Sequence, residues 1–102
     1  MEDLELLIKE CERIDKNGGV AYILCSSREQ CFMIRDEANK LGIDIRFPIS
    51  LEEYRHGGVG MFITDILVYE PEWILKRLLI PNSRNANVFL PNDIRMRDEL
   101  NV

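Results

Sequence analysis

The sequence predicts a single small α/β domain with a mostly parallel sheet of about four strands. Two continuous apolar runs, 20–25 and 66–69, are typical of strands buried on both faces of a sheet. Stretches with apolar residues at helical spacing alternate with these runs along the chain. Because strands that alternate with helices favour right-handed crossovers, we expect a three-layer domain with helices on both faces of the sheet.

Length and composition limit the chain to one hydrophobic core. It has 102 residues, of which 46% are hydrophobic and 30% charged, which is ordinary for one soluble domain. No apolar run reaches the roughly 18 residues of a membrane span, and the acidic start Met1–Asp3 lacks the basic residues of a secretory signal. We therefore expect a cytoplasmic protein without membrane contact.

Cysteine and charge content exclude several further classes. Cys11, Cys25 and Cys31 are odd in number and lie in apolar patterns, which indicates reduced thiols. With one histidine and no Cys-x-x-Cys pair, we expect neither zinc nor a disulfide. The net charge of −5 argues against direct nucleic-acid binding, which needs surplus Lys and Arg. The acidic excess indicates either simple solubility or a face for a basic partner.

The first half of the chain predicts a helix, a central strand and a second helix. Residues 3–16 carry an apolar stripe at helical spacing, and Asn17-Gly18-Gly19 ends this helix, since glycine takes the left-handed cap position without steric cost. The buried strand 20–25 follows. Either Ser26 or Ser27 can cap the next helix, and Ser27 with Gln30 makes a capping-box pair. The predicted inner stripe of that helix is Cys31, Ile34, Ala38 and Leu41, and Gly42 ends it.

The middle of the chain predicts a peripheral strand and a short helix. Residues 43–47 alternate at period two, which is typical of a strand with one wet face near a sheet edge. Ser50 and Glu53 form a second capping box, and the three glycines within 56–60 indicate a loop.

The last third predicts one more helix and a final strand. After the central strand 66–69, Pro71 fits the first turn of a helix, and residues 88–90 are a short last strand. We assign residues 1–90 to the domain. Residues 91–102 are expected to be a polar C-terminal tail with one or two helical turns.

Six short phrases stand out along the chain, at residues 7–10, 22–26, 41–45, 47–53, 66–70 and 74–79. Together they resemble a family of small P-loop-like, ATPase-like proteins found in bacteriophages and prophages. The resemblance covers roughly residues 4–90. It implies a P-loop/Rossmann-like α/β fold and a location in the cytoplasm of a bacterial host.

Both nucleotide signatures of that family are absent. In an intact P-loop protein, a Gly-rich loop ending in Gly-Lys-Ser/Thr precedes the first helix and holds the phosphates. Here the sequence begins at Met1 directly with that helix, and the pair Gly18–Gly19 comes after it. Tyr69 stands where the magnesium-binding Asp would fall, which leaves Glu70 alone. The departures imply a degenerate domain that binds no cofactor and is not an enzyme.

Candidate site residues cluster where the first strand meets the second helix. Cys25 lies just before the second helix, and a helix N-terminus lowers a thiol pKa. A cysteine phosphatase, however, needs an arginine six residues after its cysteine, and Cys31 occupies that position. Cys25 is therefore interpreted as a buried small residue that ends the strand. Ser26, Ser27 and Arg28 could hold an anion through backbone amides and the guanidinium. Plain helix capping is the alternative.

Four other residues carry weaker functional signals. His56 could act as an acid or base, although an exposed loop histidine is the default. Asp65 is interpreted as a solvated turn residue rather than a site carboxylate. Trp73 is either a binding anchor or a cover for the core edge. With Glu70, the predicted anion or partner contacts are Ser26, Ser27, Arg28, His56, Glu70 and Trp73.

Two functional hypotheses follow. The first is a non-catalytic protein-interaction module that binds and modulates, or inhibits, a host or phage protein; a basic nuclease of host defence is one concrete partner, as for an anti-CRISPR inhibitor. The second is a nucleotide- or nucleic-acid-binding accessory subunit of a replication or recombination complex. A stand-alone enzyme is the weakest hypothesis, and the oligomeric state stays open.

Overall fold

The computed structural model describes residues 2–55, 63–69 and 86–100. Helices and strands alternate over these residues, as the sequence predicts. The elements are α1 (Asp3–Lys16), β1 (Ala21–Cys25), α2 (Arg28–Lys40), β2 (Ile49–Ser50), α3 (Leu51–Arg55), β3 (Asp65–Val68), β4 (Asn87–Phe89) and α4 (Pro91–Leu100).

The four strands form one all-parallel sheet in the order β2-β1-β3-β4. Ala21 of β1 lies opposite Asp65 of β3, and Leu24 lies opposite Ile49 of the edge strand β2. The predicted parallel α/β sheet is therefore confirmed. The two long apolar runs provide its central strands, since only strands buried on both faces can be apolar at every position.

Alternate residues of the strands enter two separate hydrophobic clusters. Ile23 and Leu67 point to the face covered by α1, α2 and α4. Leu24 and Ile66 point to the other face, where α3 contributes Leu51 and Tyr54. The period of two along each strand accounts for this division.

Helix α1 has the predicted boundaries, and its amphipathic pattern explains its packing. Leu7, Ile8 and Cys11 are fully buried against the sheet. Gly18 follows with a φ of 91°, a left-handed conformation that glycine adopts without a steric cost. The predicted left-handed cap is thus confirmed.

The prediction of a strand at 43–47 is wrong. These residues are irregular, and only Ile49 and Ser50 pair with β1. The alternation has another cause: Ile45 is buried in the core, while the Arg46 guanidinium donates a hydrogen bond to Asp15. One side of segment 43–47 is thus buried, although the segment is not hydrogen-bonded to the sheet as a strand. The edge position next to β1 is occupied instead by β2, at Ile49 and Ser50.

The polar segment after residue 90 forms a longer helix than expected. Helix α4 has ten residues, and its Ile94 is buried in the core. Pro91 occupies the first helical position, which suits its fixed φ. Asp93 reaches back to accept a hydrogen bond from the Leu90 backbone amide at 2.8 Å. The predicted loop at 56–60 and the helix after Pro71 lie outside the described residues.

Candidate functional site

The predicted site loop lies at the carboxyl end of the central strands. The chain places β2 on one side of β1 and β3 on the other. Open parallel sheets bind ligands at the carboxyl ends of strands where such a reversal occurs. Ser26 follows β1 at this point, and Tyr69 follows β3, with its amide donating to the Leu24 carbonyl at 2.8 Å.

The loop from Ser26 to Arg28 caps α2. The Ser27 hydroxyl accepts a hydrogen bond from the backbone amide of Gln30 at 3.3 Å, as the sequence predicts. The side-chain oxygen of Gln30 accepts a hydrogen bond from the backbone amide of Ser26 at 2.8 Å, rather than from that of Ser27. The capping interpretation is therefore confirmed with this shift of one residue, and anion binding stays a prediction.

Arg28 turns its guanidinium towards neighbouring side chains. Its Nη1 atom lies 4.0 Å from Oε1 of Glu53, and its Cζ atom lies 5.7 Å from the ring centroid of Phe32. Glu53 is held in place by its own cap, since its amide donates to the Ser50 hydroxyl at 3.3 Å. The predicted Ser50 cap is thus present, while the Glu53 carboxylate accepts from the Ser50 hydroxyl at 3.2 Å.

Phe32 belongs to an exposed cluster of two arginines and two phenylalanines. Its ring is edge-on to Phe47, with centroids 5.2 Å apart, and Arg35 lies 5.7 Å from the Phe47 centroid. Phe32 is 52% exposed. Arg28, Phe32, Arg35 and Phe47 are called the arginine–phenylalanine cluster below. Sequence reasoning missed it, although an aromatic residue on the predicted polar face of a helix is a usable signal.

The opposite flank of α2 borders a groove of about 500 Å³ against the N-terminal half of α1. The apolar lining comes from both helices and from Tyr69, and acidic side chains form the rest. Leu41 lines this groove and is 38% exposed, so its predicted place in the inner stripe is wrong. The lining residues are Glu2, Asp3, Leu4, Glu5, Ile8, Met33, Glu37, Leu41 and Tyr69.

Three of the groove carboxylates are paired with bases. Glu5 lies 3.2 Å from the Lys9 ammonium, and Glu37 lies 3.2 Å from that of Lys40. Asp3 forms an ion pair with Arg95 of α4. Residues 1–16 carry six acids against three bases, and of these three pairs only Asp3–Arg95 brings a base from outside that segment to one of its acids.

Two other candidate residues are buried. Cys25 is fully buried, as predicted, with its Sγ atom 3.3 Å from that of Cys31. Asp65 is also buried, which makes the prediction of a solvated turn residue wrong. Asp65 is the first residue of β3. Its carboxylate accepts hydrogen bonds from the Thr64 hydroxyl at 2.6 Å and from the side-chain amide of Asn87 at 3.3 Å. Asp65 therefore joins neighbouring strands at the amino end of the sheet.

His56, Glu70 and Trp73 lie outside the described residues. Among the residues that are described, no group of three or more His, Cys, Asp or Glu side chains is arranged to hold a metal ion. Within the same part of the chain, no helix is long and apolar enough to cross a membrane. Comparisons of the chain with protein-family models, curated proteins and solved structures found no match.

Proposed function

We propose that this chain is a non-catalytic protein-interaction module that binds its partner with the exposed side of α2. One observation carries the proposal. Of the large hydrophobic side chains exposed in the described ranges, three lie on α2 or its C-cap: Phe32, Met33 and Leu41. Met33 and Leu41 border the groove on one flank of α2. Phe32 lies on the other flank, where its ring adjoins that of Phe47, and exposed apolar surface of this kind supports an interaction site there.

The arginine–phenylalanine cluster has the chemistry of a binding anchor. Full burial of a phenylalanine against a partner returns about 1.5–3 kcal/mol. The guanidinium groups of Arg28 and Arg35 lie over the rings of Phe32 and Phe47, with each Cζ atom 5.7 Å from a ring centroid. Both arginine side chains are exposed, so their guanidinium groups can form bidentate hydrogen bonds with a partner. Aromatic and arginine side chains dominate the energy of most interfaces. Phe32 is therefore the residue on which we expect affinity to depend most.

The non-catalytic part of the proposal rests on the contacts that the candidate reactive groups make with neighbouring residues. The Ser27 hydroxyl caps α2, and the Ser26 hydroxyl contacts the Gln30 side-chain oxygen. The Cys25 sulfur is buried against Cys31. These groups serve the local fold at the point where a nucleotide or substrate would enter an active α/β protein.

The finer version of the proposal is a phage- or prophage-encoded inhibitor of a nucleic-acid-processing defence nuclease. Its support is the resemblance to P-loop-like phage proteins and the net charge of −5, which complements a basic channel. A nuclease assay with and without excess chain tests it directly. Unchanged cleavage by every nuclease that the chain retains would reject the inhibitor role and leave the interaction role intact.

Affinity capture with matched variants tests the interaction role. Immobilised wild-type chain and the Phe32→Ala variant are each incubated with lysate of the native host at low and moderate salt. Met96→Ala is the control, because Met96 is 61% exposed on α4, away from α2. We expect wild type and Met96→Ala to retain the same protein, and Phe32→Ala to lose at least about tenfold in affinity. Equal retention by all three chains would refute the proposed face.

A second candidate function is single-stranded nucleic-acid binding by an accessory subunit. The observation that favours it is the same cluster, because bases stack on exposed aromatic rings and arginines contact phosphates. Titration of single-stranded DNA at low salt separates the two functions. Saturable, salt-sensitive binding that Phe32→Ala abolishes would support the accessory subunit, and absence of binding supports the protein-interaction module.

A further inference from the structure

Two of the three thiols lie in contact beneath the loop that joins β1 to α2. Cys25 is the last residue of β1, and Cys31 lies in the first part of α2. Their Sγ atoms are 3.3 Å apart, and both side chains are fully buried and reduced. The Cys25 sulfur also lies 3.4 Å from the Ser27 carbonyl oxygen. The pair is therefore held by the end of a strand, a helix and the loop between them.

The sulfurs are close to bonding distance. A disulfide bond is about 2.0 Å long, so the two atoms have to approach by roughly 1.3 Å. Only five residues separate the cysteines in sequence, and they form the short loop and the first turn of α2. A bond between them would close a small ring without changing the order or direction of any element.

We propose that Cys25 and Cys31 are a redox-active pair that hydrogen peroxide converts into an intramolecular disulfide. One thiolate attacks a peroxide oxygen, the O–O bond breaks, and a sulfenic acid and hydroxide form. The second thiolate then attacks the sulfenic sulfur, the S–S bond forms, and the second oxygen leaves as hydroxide. The two thiol protons convert both hydroxides to water. The protein loses two electrons and the peroxide gains them.

Burial determines which oxidant fits and how fast it reacts. Because both sulfurs are fully buried, the oxidant must be small, and hydrogen peroxide is only slightly larger than water. Burial raises the pKa of Cys31 above that of an ordinary thiol, which lowers its thiolate fraction at neutral pH. We therefore expect the reaction to be slow at pH 7 and to accelerate as the pH rises.

Cys11 provides an internal comparison. It is fully buried as well, but its Sγ atom contacts the Ala21 carbonyl oxygen at 3.6 Å. Burial raises the pKa of Cys11 to about 12. The raised pKa disfavours reaction at Cys11, and a reaction governed by proximity will join Cys25 to Cys31, whose sulfurs are in contact.

Peptide mapping of the folded full chain tests the pair. After treatment with hydrogen peroxide at pH 7 and pH 9, remaining thiols are blocked and the protein is digested with trypsin. Cleavage after Lys16, Arg28 and Arg35 places Cys25 in peptide 17–28 and Cys31 in peptide 29–35. We expect these peptides to be linked, a mass loss of about 2 Da from the two thiol hydrogens, and a fall from three free thiols to one. Dithiothreitol should reverse all three changes.

Cysteine variants distinguish specific oxidation of the Cys25–Cys31 pair from non-specific oxidation of the protein. In Cys31→Ser the link cannot form, and the sulfenic acid at Cys25 should be labelled by dimedone once the peroxide has been removed and the chain has been unfolded, because the folded protein buries Cys25. In Cys11→Ala the link should form at the wild-type rate, with circular dichroism confirming the fold of each variant. Unlinked peptides bearing sulfinic acid, or links that mainly involve Cys11, would each overturn the proposal. None of these outcomes bears on the proposed interaction face.

Discussion

The carboxylate of Glu10 accepts two hydrogen bonds from the guanidinium of Arg97, 87 positions later in the chain, at 2.6 and 3.0 Å. Arg13 donates two more, at 2.9 and 2.6 Å. Glu10 is only 4% exposed, so its charge depends on these partners. The pair joins α4 to α1, next to the buried Ile94, and fixes the last described helix on the domain.

Removal of Arg97 should therefore destabilise the protein. In Arg97→Ala one of the two cations that face the buried carboxylate is lost, and Arg13 remains. We expect the free energy of unfolding to fall by about 1–3 kcal/mol, because a buried charge loses a partner. Urea denaturation measures this change.

Arg95→Ala is the matched control for Arg97→Ala. Arg95 also lies on α4 and pairs with Asp3, but both side chains are more than one-third exposed. Surface pairs of this kind contribute less than about 1 kcal/mol. Equal losses in the two variants would show that the burial of Glu10 adds nothing to the pair.

The same pair predicts the acid limit of stability. Burial alone would raise the pKa of Glu10, but the hydrogen bonds and charges of Arg13 and Arg97 lower it to about 2. The folded-state pKa is thus below the unfolded value of 4.5, so the contribution is fully present above pH 4.5 and is lost as the pH falls towards 2.

Denaturation in urea at pH 6, 4, 3 and 2 tests this pH dependence against Glu10→Gln. We expect the wild-type free energy of unfolding to fall more steeply than that of Glu10→Gln between pH 4.5 and 2, since the variant lacks the titrating carboxyl. Parallel curves for the two proteins would contradict the lowered pKa.

The cap of α2 gives a third prediction. Ser27 accepts from the Gln30 amide, and replacing such an N-cap residue by alanine costs about 0.5–2 kcal/mol. We expect Ser27→Ala to lose stability in this range, and Ser27→Asp to retain most of it because its carboxylate accepts the same bond. Thermal unfolding followed by circular dichroism measures both, and a neutral Ser27→Ala would show that the bond contributes nothing.

The sequence predicted what depends on periodicity and local chemistry. The limits of α1, the central strands and the caps at Ser27 and Ser50 follow from residue spacing alone. The failures share a cause, since each depends on where a segment lies in three dimensions. The alternation at 43–47 arises because one side of an irregular segment is buried. The polar segment after residue 90 packs on the domain as α4, where Arg97 pairs with Glu10. Similarly, Phe32 on the polar face of its helix is a local signal, but its contact with Phe47 forms only after folding, so the arginine–phenylalanine cluster as a whole could not be predicted.

Gly19 gives the last prediction, because it lies between Ile14 of α1 and Thr64, the residue before β3. A Cβ atom at this position would lie 2.5 Å from Cγ2 of Ile14 and 3.0 Å from the hydroxyl oxygen of Thr64. The Gly19 amide also donates to the Ile14 carbonyl at 2.9 Å, which holds the two residues together. We expect Gly19→Ala to lower the free energy of unfolding by about 1–3 kcal/mol through overpacking.

Gly18 and Ile14 provide the controls for Gly19→Ala. A Cβ atom at Gly18 meets nothing within 4 Å, so Gly18→Ala is strained only by its left-handed backbone, and Gly18→Asn should recover part of the loss. Ile14→Ala removes the atom that clashes at Gly19. In a double-mutant cycle measured by urea denaturation, Gly19→Ala should therefore cost less in the Ile14→Ala background than in wild type. An equal cost in both backgrounds would mean that the close approach of Gly19 to Ile14 does not limit what this position accepts.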